Sequence, residues 1–95
     1  MRVVGRDKLD AFMKKHAQSK GKLSAWLKEA ENADWKTSQD IKDRHASASF
    51  LSDNQVIFNI SGNKYRLVVA VRYRNGIAQV THVGTHAEYD KWKLK

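Results

Sequence analysis

The chain has 95 residues, 41% hydrophobic and 29% charged, with eighteen Lys and Arg against ten Asp and Glu for a formal charge of +8. That length accommodates one domain, residues 1–95, too apolar for a disordered chain and too interrupted for a membrane span, since the longest apolar run is residues 67–71. The absence of cysteine excludes disulfides, thiolate zinc sites and thiol redox chemistry. A polyanion is the natural partner for the basic excess, which is uneven: residues 54–87 carry Lys64, Arg66, Arg72 and Arg74 and no acidic side chain. The amino end lacks an apolar stretch behind its basic residues, so no secretory signal is expected and the cytoplasm is the expected location.

After a short apolar start at Val3-Val4, Leu9, Phe12, Met13 and Ala17 recur at helical spacing, opposite Asp10, Lys14 and Lys15. This predicts a first amphipathic helix. Gly21 breaks the pattern, and Leu23, Trp26, Leu27 and Ala30 then predict a second. Trp26 and Phe12 lie inside these stripes and read as core. Residues 34–49 are polar and mixed in sign, with Trp35 and Ile41 as anchors and a helical turn expected over 38–44. From there the period becomes two, and residues 49–51, 55–60, 64–74 and 77–83 read as strands. The fold class is α+β: two amino-terminal helices on one face of a small twisted antiparallel sheet, followed by a short carboxyl-terminal helix.

Asn75-Gly76 predicts a two-residue type I′ turn that pairs Arg74 with Ile77. Arg72 then faces Gln79, Ala70 faces Thr81, Val68 faces Val83 and Arg66 faces Thr85. The opposite, oily face carries Tyr65, Leu67, Val69, Val71 and Tyr73 against Ala78, Val80 and His82, which makes His82 structural. Taking Gly62-Asn63 as a second tight loop adds Val56, Phe58 and Ile60 to the oily face and sets Asn59 opposite Arg66 and Ile57 beside Val68. The polar face becomes an open apolar floor ringed by Asn59, Arg66, Arg72, Arg74, Thr81 and Thr85.

Thr85-His86-Ala87-Glu88 matches a capping box, so a helix is expected to start at His86, with Thr85 and Glu88 in structural roles. His86 and Tyr89 share a face of that helix, and its amino terminus would add positive partial charge. Arg66, His86 and Tyr89 should converge on one anion-sized spot. The polar face has no carboxylates to hold metal ions, so no metal and no cofactor are expected. Metal-free RNA cleavage needs a proton acceptor, a proton donor and a cation for the phosphorane, which histidine, tyrosine and arginine supply. A phosphate-binding surface without turnover fits the same residues.

The stretch from Val56 to Arg66, followed by Gly84-Thr85-His86-Ala87-Glu88-Tyr89-Asp90-Lys91, resembles the HigB-type toxins of bacterial type II toxin-antitoxin modules, through G-N-x-x-R paired with T-H-x-E-Y-D. Arg2-Val3-Val4, Trp35 and Asp40-Ile41-Lys42 extend the likeness over nearly the whole chain. The resemblance implies a RelE-like fold and an mRNA interferase that cuts translated messages in the ribosomal A site. It also implies neutralisation by a HigA-type helix-turn-helix antitoxin, with oligomers formed mainly through that complex. Carried over by position, it points to Asn63 and Arg66 in the hairpin and to His86 and Tyr89 in the helix. Arg66, His86 and Tyr89 are thus the catalytic candidates, and Asn63, Lys64, Arg72, Arg74 and Lys91 the RNA-binding ones.

The rival from another class is a non-catalytic RNA- or ribosome-binding module, which lacks an RRM-type aromatic signature on the strands. A DNA-binding repressor is disfavoured because neither early helix has the turn of a helix-turn-helix pair.

Overall fold

The computed structural model describes residues 1–62 and 64–92. A short strand β1 (Arg2–Val4) leads into α1 (Arg6–Lys15), a 3-10 turn (Ala17–Ser19), α2 (Lys20–Asn32) and α3 (Ser38–Arg44). Four strands follow: β2 (Ser49–Phe50), β3 (Gln55–Ile60), β4 (Tyr65–Arg72) and β5 (Ile77–Thr85), and the chain then makes the single-turn helix α4 (His86–Tyr89). The strands form one sheet in the order β1-β5-β4-β3-β2.

Two expectations need correction at this level. The sheet is mixed, not antiparallel throughout, because β1 pairs parallel to β5 with Val3 beside Ala78. A parallel pair needs a long crossover, and the intervening helices and strands supply it. The break between the first helices falls at His16, not at Gly21, which lies inside α2. There the Ser19 hydroxyl and N–H both donate to the His16 carbonyl, at 2.6 and 2.9 Å, and cap the end of α1.

The core forms on one face of the sheet. Leu9 and Phe12 of α1, and Leu23, Trp26, Leu27 and Ala30 of α2, join Val56, Phe58, Ile60, Tyr65, Leu67, Val69, Val71, Ala78 and Val80 in one buried cluster. These are the strand residues that alternation assigned to the oily face. Trp35 and Ile41 are buried with them, and Thr37 opens α3 with a capping box closed by Asp40. Each buried Leu, Ile or Phe contributes roughly 1.5–3 kcal/mol by leaving water, so the cluster holds without cross-links.

The two hairpins behave differently. Between β3 and β4 the register is as read: Asn59 faces Arg66 and Ile57 faces Val68. Between β4 and β5 it is not. Arg72, not Arg74, pairs with Ile77, and residues 73–76 form a four-residue loop closed by bonds from Asn75 N–H to Arg72 O and Gly76 N–H to Tyr73 O. Gly76 takes φ of 67°, but Asn75 does not enter the left-handed region, so the type I′ turn is not made. A second departure follows at Thr81, where β5 carries one extra residue: Val69 pairs with Val80, but Val68 pairs with His82. This bulge lets Val80 and Val83, three residues apart, both turn toward the core. Past it, Arg66 faces Gly84 in place of Thr85, and His82 moves to the Arg66 face.

Candidate active site

On the face away from the core, the floor expected to be open is covered. Ile57 and Val68 are buried, and α4 folds over the neighbouring end of β4 and β5. The turn after β5 is fixed by Thr85, whose hydroxyl accepts from Glu88 N–H at 3.2 Å while the Glu88 carboxylate accepts from Thr85 N–H at 2.9 Å. The expected capping box is therefore present. Its backbone bond is the main reason the Glu88 carboxyl lies below its ordinary pKa, with Lys15 and His16 adding weaker attraction and burial opposing. A further bond, His86 N–H to Lys64 O at 3.3 Å, ties the start of α4 to the start of β4.

These constraints bring Arg66 and α4 together. The Arg66 guanidinium carbon lies 5.0 Å from the centre of the Tyr89 ring, and its Nη1 donates to Asn59 Oδ1 across the β3–β4 ladder. Asn59 is oriented in turn by donating Nδ2–H to Ser47 O at 3.0 Å. Among the described residues, Arg66 Nε is buried with no partner. A guanidinium 5.0 Å from a ring centre and pinned at one nitrogen is preorganised to meet a phosphate. His86 stands beside Tyr89 with ring centres 6.3 Å apart, about half-exposed, and its Nδ1 lies 3.6 Å from Asp90 Oδ2.

The remaining RNA-binding expectations separate in space. Lys64 Nζ donates to Gln18 Oε1 at 2.7 Å and sits over the Tyr65 ring, on the helix-covered side. Arg72 is exposed at the opposite end of β4, six residues or roughly 20 Å along the strand from Arg66, and Arg74 is exposed in the loop that follows. Lys91 is exposed just beyond α4. The expectation for Asn63 lies outside the described residues. Because α4 is a single turn, its dipole adds little, so the positive charge at the site comes from Arg66. From the sequence, Asn59 has only its place beside Arg66, Asp90 stands only within the matched motif, and Trp92 carries no signal. The i, i+4 spacing of His86 and Asp90 was the available signal. Among the described residues no group of three or more His, Asp or Glu gathers to hold a metal ion.

A model of the HigB toxin family, described as the RelE-like toxic component of a toxin-antitoxin system, matches residues 19–92. The chain belongs to this family. The comparison with curated proteins finds no match. As a HigB-family toxin, the protein has an antitoxin as its implied partner, and its mixed α+β fold with a five-stranded sheet accords with a RelE-like architecture. The match spans Asn59, Arg66, His86 and Tyr89 and leaves out β1 and α1. No helix among the described residues is long and apolar enough to cross a membrane.

Proposed function

We propose that this HigB-family toxin is an mRNA interferase that cleaves translated messages in the ribosomal A site without a metal ion. The observation that supports this reading is the Arg66 guanidinium lying 5.0 Å from the centre of the Tyr89 ring, with His86 next to Tyr89 in α4. In the proposed reaction the ribose 2′-OH loses its proton to a base and attacks the adjacent phosphorus. The bond to the 5′-oxygen then breaks and that oxygen takes up a proton, leaving a 2′,3′-cyclic phosphate and a free 5′-hydroxyl. His86 serves as general acid or base, Tyr89 orients or donates a proton, and Arg66 stabilises the charge on the phosphorane. Arg72, Arg74 and Lys91, with Asn63 and Lys64, contribute contacts to message or ribosomal backbone. The toxin acts in the cytoplasm, and a HigA-type helix-turn-helix antitoxin neutralises it and builds the oligomer.

The test is induced expression with mapping of message 5′ ends, because a protein that only binds RNA creates none. His86→Gln and Arg66→Ala should each abolish the new ends and relieve growth arrest while keeping the parental melting temperature. Parental cleavage by both variants would refute the assignment. Purified toxin should also keep cutting ribosome-bound message after brief EDTA treatment that leaves the ribosomes intact, whereas a strict metal requirement in the toxin would contradict the mechanism.

A further inference from the structure

Beyond Trp92 lies a second groove, of about 380 Å³, between α1 and the outer edge of β5. β1 pairs only with residues 77–79, so among the described residues no strand covers that edge from Thr81 onward. Trp92 forms one wall. Its ring rests against Gly84, where a Cβ would stand 2.8 Å from Cζ2, and lies 4.9 Å from the His82 ring and 5.8 Å from the Tyr89 ring. The same indole thus borders both the groove and the Arg66–Tyr89 site. Trp26 and Trp35 are only 4% exposed, whereas Trp92 is half-buried.

The other walls carry cations and an oriented imidazole. Lys8 and Lys15, both exposed, line the groove from α1, two turns or about 10 Å apart on one face. The Thr81 hydroxyl donates to Val68 O at 3.2 Å, so with its one proton spent it accepts from His82 Nδ1–H at 3.0 Å. With this bond a neutral His82 is the Nδ1-protonated tautomer, which leaves Nε2 as an acceptor. The Glu88 carboxylate, also in the groove, is engaged by Thr85 N–H.

We propose that this groove is a nucleotide subsite continuous with the Arg66–Tyr89 site. A base stacks on Trp92, one backbone phosphate lies on Lys8 and another on Lys15, and His82 Nε2 accepts from a base N–H. Stacking on an aromatic ring beside cations is how single strands are held without sequence readout. A peptide adding to the strand edge has little length to pair with, because the chain leaving β1 packs on β5 up to Val80, where a Cβ at Gly5 would lie 2.6 Å from Val80 O, and β5 ends at Thr85. Lys8 and Lys15 precede residue 19, so the subsite is not carried by the family match. The inference rests on RNA being the substrate, and its test reads binding separately from cleavage.

Protein labelled with 5-fluorotryptophan is titrated with a 2′-O-methyl oligoribonucleotide, which has no attacking hydroxyl, and followed by fluorine NMR. The Trp92 resonance, identified by its loss in Trp92→Phe, should move saturably while the other two stay still. Trp92→Ala should weaken binding about 5- to 150-fold, as expected for a lost base stack. Lys8→Gln with Lys15→Gln should lower the salt slope by about 1.4, or 0.7 per phosphate contact on a single strand. A Trp92 resonance that stays fixed while the same preparation cleaves ribosome-bound message overturns the subsite and spares the nuclease. A resonance moved by the antitoxin and not by the oligonucleotide makes the groove a protein interface and overturns it too. Movement by the oligonucleotide with no cleavage of any message supports the subsite and removes the nuclease reading.

Discussion

Arg66 and Arg72 lie on the same strand and the same face, yet the two ends of β4 offer different things to a phosphate. Arg66 is half-buried, pinned by Asn59 and backed by Tyr89, with α4 closing over it. Arg72 is exposed and ends its strand beside the loop that carries Arg74. An ordered guanidinium in a partly dry pocket stabilises developing charge far better than one solvated by bulk water, because its reorientation is completed in folding. The +8 charge says only that an anion is welcome. Packing around one of these arginines says where chemistry would be done.

The sharpest break of this contrast is a pair of single variants. Arg66→Ala should lower cleavage of ribosome-bound message by about 10³-fold, within the range for loss of one preorganised charge-stabilising group, while Arg72→Ala should stay within about threefold of the parent. Equal losses in the two variants, measured by primer extension, would show that the ends of β4 do not differ in function. Asn59→Ala comes next. It leaves Arg66 in place but frees its Nη1, and should cost about tenfold in rate, the worth of one charge-assisted hydrogen bond. A rate loss with an unchanged Michaelis constant would mark Asn59 as a positioning residue; a fall in melting temperature of matching size would assign it to the fold instead.

A milder effect is expected at the far end. Arg72→Gln combined with Arg74→Gln should leave the rate at saturation intact and weaken binding to single-stranded RNA, lowering the salt slope by about 1.4. An unchanged slope would remove these arginines from the interface.

Why one hairpin was legible and the other was not follows from their residues. The β3–β4 register is fixed by burial, since slipping it by one would expose Phe58 and Val56, and the pairing of Asn59 with Arg66 could be read from that alternation alone. For β4–β5 the Asn-Gly pair suggested a turn two residues long, but the same face assignment survives a shift of two, so alternation could not reject the wrong loop. The bulge at Thr81 was invisible for a different reason: it depends on Val80 and Val83 both reaching the core, a tertiary demand with no local signature. His86 and Tyr89 escaped this error because the Thr85–Glu88 capping box sets the start of α4 locally, whatever strand register precedes it. Trp92 lies past the last motif, and its contacts with Gly84, His82 and Tyr89 reveal its place.

That capping box gives the smallest effect and a check on how α4 stays over Arg66. The Glu88 carboxyl lies below its ordinary pKa because the charged form accepts from Thr85 N–H. A depressed carboxyl stabilises the fold at pH above its unfolded pKa, and the contribution disappears as pH falls through the folded value. Stability should therefore decline on acidification partly through Glu88, and Glu88→Gln, which cannot titrate, should remove that part of the decline, whereas Thr85→Ala keeps the N–H and should cost about 1 kcal/mol as a lost cap at neutral pH. Because Trp92 is seated on Gly84 just beyond α4, its fluorescence reports whether the helix turn has let go. If Glu88→Gln kept the parental acid limb and Thr85→Ala the parental Trp92 signal, the cap would not be what holds Tyr89 against Arg66, and the bond from His86 N–H to Lys64 O would be the remaining tether.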